Sequence, residues 1–403
     1  MEDIVRVEPI RKTEPDDLFL TASSFEMRSR RAPELTDTIT FKNSVIFQYK
    51  DTLESFKGMA NTNFIYSRLK KVSCEKPSIL ECELKDAYGL LEVFHLWIKD
   101  KGFELNRKYI TIDITCFTKI HLLLLLKYLR EKGKDNKIRI LYTEPLVYAS
   151  MMGKNLSYGI SDTFYIPLLS NQNGNNKEAL LLFLGHEPLR SYHILQETEP
   201  ERTFLLTGEP GFTFEMAEKS RRMNKELIDR ANYDNSFSKK NCSTTNFLDV
   251  KNVLKDIIDE LFKEKFGVFY IAPLGTKLQA LGIDLLTQEL KEGKVIVAYP
   301  APKGYNKECF SDGVGKTFSA NLTQKIPPWL LKEKDAFLYL QSEGKIDITK
   351  RFVVIKNGDV LGYGDNIEEV LQKFQGKYPY LLEETTKKEE AILSPFMLGI
   401  GGR

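Results

Sequence analysis

The sequence has few of the residues that form disulfide frameworks and metal sites. Its 403 residues include five cysteines and four histidines. The cysteines are scattered without a Cys-x-x-Cys pair, and the histidines do not have the spacing of metal ligands. An odd number of scattered cysteines is typical of proteins from a reducing compartment. We therefore expect a cytoplasmic protein without a disulfide framework, and we predict neither a metal ion nor another cofactor.

Long hydrophobic runs and a charge excess of either sign are also absent. The most apolar run, residues 120–126, is too short to cross a bilayer, and the first residues do not resemble a signal peptide. Hydrophobic residues make up 42% of the chain and charged residues 28%, with a formal net charge of +2. These proportions are typical of a globular protein, for which we expect no membrane span. A balanced total charge can hide a basic face, so a nucleic-acid partner stays open.

The chain does contain one pattern twice, in which a run of β-branched and apolar residues leads into a Thr-Lys pair and a helix. Residues 109–113 predict a strand and residues 120–130 a helix in the first half, and residues 268–272 and 278–290 do so in the second. The pairs are Thr118-Lys119 and Thr276-Lys277. The start of a helix exposes unpaired N–H groups and the positive end of the helix dipole. Each pair is therefore placed to bind phosphate or another anion.

Other motifs repeat in the same order and at similar intervals. Glu26 lies 93 positions before Lys119, and Glu187 lies 90 positions before Lys277. Each half has an apolar strand before its glutamate, and a Tyr-x-x-Pro-x-x-Tyr sequence and then a Ser-x-Gly sequence after its helix. In the first half, the strand, the Tyr-x-x-Pro-x-x-Tyr sequence and the Ser-x-Gly sequence lie at residues 18–21, 142–148 and 157–159. In the second half they lie at residues 180–183, 299–305 and 311–313. The agreement predicts the tandem duplication of a domain-sized unit.

The order of the predicted elements assigns the fold class. Strands alternate with helices, which indicates an α/β protein of two tandem Rossmann-like domains with mainly parallel sheets. Residues 351–363 predict a β-hairpin around Asn357-Gly358, and a helix at 367–374 completes a small C-terminal ββα unit. Residues 234–245 are polar and predict an exposed loop. The predicted boundaries are an N-terminal arm at 1–16, domain 1 at 17–170, a linker at 171–177, domain 2 at 178–325, a helix plus the ββα unit at 326–380, and a tail at 381–403.

The repeated motifs also define a candidate ligand-binding site. In sheets of this kind ligands bind beyond the C-terminal ends of the strands, where all of these motifs fall. The predicted ligand-binding residues are Ser24, Glu26, Arg28, Thr118, Lys119, Tyr142, His186, Glu187, Arg190, Gly275, Thr276, Lys277, Tyr299, Ser311 and Gly313. No catalytic residue is assigned.

Each of these residue types also has a purely structural interpretation. The two lysines bind phosphate, or they lie in solvent on a first helical turn; the two threonines contact the ligand, or they only cap their helices. The glutamates and arginines contact a base or ribose, or they form ion pairs that orient their loops. The tyrosines stack on nucleobases, or they cover the edge of the sheet.

Residues 180–185 with the Glu187 and Arg190 loop, and the Gly275-Thr276-Lys277 sequence after a strand, resemble CRISPR-associated Rossmann fold (CARF) sensor domains. The resemblance implies that these loops line a pocket for a cyclic oligonucleotide, which two domains complete about a two-fold axis. It covers residues 178–300 well and residues 17–150 more loosely, since Phe117 stands where the family has glycine. The C-terminal hairpin unit resembles a small domain of unknown function on archaeal and bacterial proteins, which implies a prokaryotic source.

Three functions are compatible with these observations. The first is a prokaryotic defence or stress sensor that binds a nucleotide-type ligand between its halves and signals to a protein partner. The second is a non-catalytic scaffold subunit that holds a partner protein or nucleic acid. The third is an enzyme of ring-nuclease type that cleaves its bound nucleotide, with Lys277 stabilising charge. The residues favour the first and do not indicate an enzyme.

Overall fold

The computed structural model describes most of the chain. The described residues are 15–34, 40–50, 56–148, 153–171, 177–290, 292–307, 310–322, 336–337, 339–366, 369–370, 373–374 and 381–385. The chain forms two compact units, a larger one up to Phe318 and a smaller one from Ser319 onward. Among the described residues, no helix has both the length and the apolar character needed to cross a bilayer.

The first half of the larger unit contains a parallel five-stranded core sheet. Consecutive apolar residues of its strands are fully buried, which is typical of a parallel sheet covered by helices on both faces. The strands run in the order β5-β4-β1-β2-β3. The elements are β1 (Asp16–Ser23), a 3-10 turn (Met27–Arg30), α1 (Arg31–Glu34), β2 (Phe41–Tyr49), α2 (Phe56–Val72), β3 (Ser78–Cys82), α3 (Gly89–Lys101), β4 (Tyr109–Asp113), α4 (Lys119–Lys132), β5 (Lys137–Thr143), β6 (Val147–Tyr148) and β7 (Ser157–Asn171).

The second half repeats this topology. Its parallel strands run in the order β10-β9-β8-β11-β12, the same order relative to the chain as in the first half. The elements are β8 (Lys177–Phe183), α5 (Pro188–Thr198), β9 (Arg202–Gly208), α6 (Phe214–Met223), α7 (Lys225–Arg230), β10 (Phe237–Cys242), α8 (Phe247–Lys263), β11 (Phe266–Ala272), α9 (Lys277–Glu289), β12 (Gly293–Tyr305), β13 (Ser311–Asp312) and β14 (Thr317–Asn321). The predicted pair of mainly parallel Rossmann-like sheets is confirmed.

The prediction of an exposed loop at 234–245 is wrong, because these residues contain β10. This strand lies at the edge of the second sheet. Phe237 and Cys242 are buried, whereas residues 239–241 (Lys-Lys-Asn) are exposed. Edge strands tolerate lysine and other polar residues, which protect the open edge from pairing with another chain. The same composition resembles a loop when only the sequence is considered.

The two halves exchange their sixth strands. β7 follows the first half but pairs antiparallel with β12 of the second sheet. β14, which begins at Thr317 after the second half, lies beside β5 of the first sheet. Between them, β6 and β13 form a two-stranded antiparallel ladder. Each half therefore completes the sheet of the other, an arrangement that no local sequence pattern predicts.

The helices that follow the Thr-Lys pairs lie side by side at the junction of the halves. Ile120 and Leu123 of α4 belong to the same buried cluster as Ala280 and Ile283 of α9. The guanidinium of Arg130 on α4 also forms an ion pair with the buried carboxylate of Asp284 on α9. The N-termini of the two helices are consequently held close to one another.

The smaller unit contains a three-stranded antiparallel sheet. Its strands are β15 (Phe352–Lys356), β16 (Asp359–Gly364) and β17 (Leu381–Glu384), in the order β16-β15-β17. Asn357 and Gly358 have φ values of +55° and +84°, so they form the type I′ turn that the Asn-Gly sequence predicts. The described residues of the predicted helix, 369–370 and 373–374, begin as helix and end in a turn. β17 lies within residues 381–403, which the sequence interpretation had assigned to the tail. Residues 1–14, 172–176 and 386–403, which include most of the predicted arm, linker and tail, lie outside the described part of the chain.

Candidate functional site

A cavity of about 200 Å³ lies between the two halves, beyond the carboxyl ends of their central strands. All but two of the sequence-predicted residues line it. These are Ser24, Glu26, Arg28, Thr118, Lys119, Tyr142, His186, Glu187, Arg190, Gly275, Thr276, Lys277 and Tyr299. The structure thus brings motifs that are more than 150 positions apart in sequence to one place.

The two threonines cap their helices. The Thr118 hydroxyl accepts a hydrogen bond from the backbone N–H of His121 at 3.3 Å. In the second half, Thr276 and Gln279 form a reciprocal capping box, with the Thr276 hydroxyl accepting from the Gln279 N–H at 3.1 Å. The Thr276 hydroxyl also donates to the carbonyl of Thr244 at 2.7 Å. The capping interpretation therefore accounts for both threonines, and each fixes the direction of the lysine that follows.

Lys119 and Lys277 bring two partly buried amines into the cavity. Among the described residues, neither amine has a hydrogen-bond or ion-pair partner, although both side chains line the cavity. Burial lowers the pKa of Lys119 to about 7, and the nearby charges of Arg190 and Lys277 act in the same direction. Burial also lowers the pKa of Lys277 to about 8, with Arg28 adding to the effect. Each lysine thus lies near the arginine of the opposite half.

A glutamate and an arginine form a buried ion pair in each half. Arg28 donates to both carboxylate oxygens of Glu26, at 2.9 and 3.0 Å. Arg190 donates to one oxygen of Glu187, at 2.9 Å. Burial alone would raise the pKa of each carboxyl, but the arginine partner brings the pKa below its usual value. The sequence left open whether these residues contact a ligand or orient their loops. The ion pairs show that they orient their loops, and a contact with a ligand stays a prediction.

Serines cross from one half to the other to complete these pairs. The Ser311 hydroxyl donates to Glu26, and the Ser157 hydroxyl donates to Glu187. Ser311 therefore supports the site through Glu26 and is not among the residues that line the cavity, and its predicted contact with a ligand stays a prediction. Gly313 is also not among the lining residues; its φ is +68°, and a β-carbon there would be 2.8 Å from that of Leu146. Each Ser-x-Gly motif thus places a serine hydroxyl against the glutamate of the other half.

Aromatic rings form much of the remaining wall. Tyr142 contacts the ring of Phe212 at 6.0 Å between centroids, and Phe310 contacts Tyr305 at 5.5 Å. The ring of Tyr299 lies 4.9 Å from the guanidinium carbon of Arg190. Sequence reasoning missed Phe212 and Phe310, and also Tyr49, Cys116, Met216, Ser220, Thr244 and Gln279. Most of these fall outside the repeated motifs, so periodicity and repetition gave no signal for them.

The histidines have separate roles. His121 is fully buried, and its Nε2 donates to the Asp86 carbonyl at 2.9 Å. Its Nδ1 is consequently an acceptor for the hydroxyls of Tyr49 and Thr118, at 3.0 and 2.8 Å. Burial lowers the pKa of His121 to about 4, which keeps this ring neutral. His186 lines the cavity, and its Nε2 donates to the Met216 carbonyl at 3.1 Å.

The difference between Phe117 and Gly275 follows from how each helix is capped. A β-carbon on Gly275 would lie 1.9 Å from Oε1 of Gln279, the oxygen that accepts from the Thr276 N–H at 2.8 Å. The first half has no glutamine at the matching position, and there the Tyr49 hydroxyl accepts from the Thr118 N–H at 3.3 Å. Phe117 is therefore free to turn into the core, where it is 1% exposed.

We expect Gly275→Ala to destabilise the protein by about 0.5–2 kcal/mol, the usual range for loss of an N-cap interaction. The added methyl group displaces the Gln279 side chain and breaks one arm of the capping box. The free energy of unfolding in urea measures the effect, with Gly304→Ala as the control, because a β-carbon on Gly304 meets nothing within 4 Å. Equal stability of the two variants would contradict this account of the glycine.

The described residues contain no group of three histidine, cysteine or acidic side chains placed to bind a metal ion. No protein-family model matches the sequence, and no curated protein matches it. A comparison with solved structures finds, among others, an MccF-like protein from Streptococcus pneumoniae in complex with AMP. That alignment has 12% sequence identity and a TM-score of 0.17, and it covers 76% of this chain and 96% of the other. At such a TM-score the similarity carries no argument about fold or ligand.

Proposed function

We propose that the larger unit binds a nucleotide-type ligand in the cavity between its halves and acts as a CARF-like sensor. The observation that carries the proposal is the convergence of two unpaired, partly buried lysine amines on one cavity. A structural lysine normally keeps its ammonium in water or pairs it with a carboxylate. Two cations that are kept without either are most simply explained by an anion that arrives from solution.

The surroundings of the amines favour phosphate as that anion. α4 and α9 both begin at the cavity, and each contributes first-turn N–H groups and the positive end of its dipole. Lysine, arginine and helix N-termini together form the usual protein environment of a bound phosphate. Phe212 and Phe310, which are partly exposed and line the cavity, supply ring faces on which nucleobases can stack.

The packing of the halves supports a signalling role. A ligand that bridges Lys119 and Lys277 would neutralise the mutual repulsion of two cations that lie on adjoining helices, α4 and α9. Ligand binding would then favour a closer approach of these helix ends and shift the angle between the halves. In the proposed role, a protein partner in a prokaryotic defence or stress response reads this change.

A thermal-shift screen with cyclic and linear oligonucleotides and mononucleotides tests the proposal. A ligand at 100 times its Kd should stabilise the protein by about 2.7 kcal/mol, and thus raise its melting temperature by several degrees. Lys57→Met is the matched control for lysine variants, because Lys57 is an exposed lysine in the first turn of α2, away from the cavity. A flat screen together with a co-purifying protein or nucleic acid would instead favour the scaffold function. Product formation from a stabilising nucleotide would favour the ring-nuclease function.

A further inference from the structure

Each half contains an acid–arginine pair, but the two pairs differ in spacing and in hydrogen bonds. In the first half, Nε and Nη2 of Arg28 both donate to Glu26, and Nη1 donates to the Thr143 carbonyl at 3.0 Å. Every nitrogen of this guanidinium thus has a partner within the protein. The fork-to-fork contact with Glu26 also balances its charge closely. Arg28 is therefore fully engaged before any ligand arrives.

Arg190 is engaged less completely. Its Nη1 donates to Glu187 and its Nε donates to the Pro300 carbonyl at 3.0 Å, but its Nη2 is buried and has no hydrogen-bond partner. The hydroxyl of the neighbouring Tyr299 is hydrogen-bonded to that of Tyr305 at 3.2 Å, and Tyr299 also interacts with the Arg190 guanidinium. Arg190 is 4% exposed and lines the cavity. A buried donor on a charged group is costly when it is left unpaired, so this nitrogen marks a place for an acceptor.

Lys119 lies on the same side of the cavity as this unpaired nitrogen. The charges of Arg190 and Glu187 both act on its amine, which has no partner among the described residues. α4 is 14 residues long and begins at Lys119. Thr118 already accepts from the His121 N–H, so the N–H groups of Lys119 and Ile120 are the ones that this helix start offers to a ligand. Two cationic donors and a helix N-terminus here face one carboxylate, Glu187.

The opposite side, around Lys277, carries more negative charge. Glu26 and Asp113 both act on the Lys277 amine. Asp113 is fully buried and accepts hydrogen bonds from the Thr21 hydroxyl at 3.0 Å and the Thr115 N–H at 3.1 Å. The matching position in the second half, six residues before the lysine, is Ile271. The duplication has therefore left one side of the cavity with an additional carboxylate and a fully engaged arginine.

We propose that the cavity binds its ligand in one orientation, with a terminal phosphate at Lys119 and Arg190 and a hydroxyl-bearing end near Glu26 and Lys277. The inference rests on the proposed function and narrows the ligand class to a linear nucleotide with a terminal phosphate.

Inorganic phosphate is the probe that tests the orientation, because it represents only the proposed terminal group. Its Kd is measured by calorimetry at pH 7 for the full-length protein and for the variants Lys119→Met, Lys277→Met and Lys57→Met. Loss of a charge-assisted hydrogen bond costs about 1.5–3 kcal/mol, so Lys119→Met should raise the Kd about tenfold or more. Lys277→Met should change it less than about threefold, and Lys57→Met should not change it. Circular dichroism verifies that each variant is folded.

The remaining outcomes overturn the inference in ways that can be told apart from failure of the proposed function. Equal losses in Lys119→Met and Lys277→Met would show that the two sides are equivalent, and a larger loss in Lys277→Met would reverse the orientation. No binding of phosphate to the unmodified protein would remove the terminal-phosphate site altogether. In each case the mononucleotide and oligonucleotide screen decides separately whether the cavity binds nucleotides at all.

Discussion

Replacing both Lys119 and Lys277 with methionine is expected to stabilise the unliganded protein and to abolish binding of the ligand. Methionine keeps the length and apolar stem of lysine but removes an amine that the fold buries without a partner. One unit of pKa depression corresponds to about 1.4 kcal/mol, so a gain of at least about 1 kcal/mol is expected. Removing the two cationic donors, one at each end of the ligand, should weaken nucleotide binding about 100-fold or more.

Urea unfolding with and without the nucleotide identified by the screen measures both effects in one experiment. The variant should unfold at a higher urea concentration without ligand and show no further shift with ligand. Lys57→Met, which removes an exposed first-turn lysine, should change neither quantity. A double variant that is less stable than the unmodified protein would mean that the lysines have structural partners, and the argument for an anion site would fail.

Between pH 7 and pH 9, the unliganded protein is expected to gain stability while its affinity for the ligand declines. Burial lowers the pKa of Lys119 to about 7 and that of Lys277 to about 8. An unfolded lysine keeps its proton up to about pH 10.4, so the unfolded state binds more protons than the folded state throughout this range. Stability rises with pH wherever the unfolded state binds more protons. The gain should be about 1–3 kcal/mol over these two pH units.

Asp113 and His186 titrate below this range, whereas the buried thiols of Cys116 and Cys242 oppose the gain above about pH 8. Burial raises the pKa of both thiols, and unfolded thiols lose their protons near that pH. Burial raises the pKa of Asp113 to about 6, and burial also lowers the pKa of His186 from its ordinary value. Asp113 and His186 therefore change protonation below pH 7. Urea unfolding at pH 7, 8 and 9 measures the slope, and the Lys119→Met, Lys277→Met double variant should flatten it. A slope that persists in the double variant would assign the effect to groups other than the two lysines.

The lysines, threonines and acid–arginine motifs could be located from the sequence because duplication makes them visible. A single Thr-Lys pair is a common sequence, but Thr118-Lys119 and Thr276-Lys277 occur at matching places in two halves, and parallel-sheet geometry puts both at strand ends. The same logic predicted the fold class. The Asn357-Gly358 turn could be predicted from two residues alone, since few residue pairs adopt two successive positive φ values.

Features that depend on contacts between the halves could not be predicted in this way. Phe212 has no counterpart in the repeat, and Ser311 acts on Glu26, which lies in the other half. The strand 237–242 has the composition of a loop because one of its edges is unpaired. The unpaired Nη2 of Arg190 also depends on tertiary contacts, because Arg190 uses its Nε on the carbonyl of Pro300, a residue distant in sequence.

The exchange of outer strands has a consequence for how such a protein diverges. A half produced alone would lack the strand that finishes its sheet, and two identical halves could finish each other only as a mutually swapped homodimer. Every substitution in that homodimer would appear at both ends of its cavity. Joining the copies in one polypeptide removes this constraint, so Asp113 and Phe117 can stand at one end while Ile271 and Gly275 stand at the other. The fused chain can therefore recognise a molecule whose own two ends are unlike.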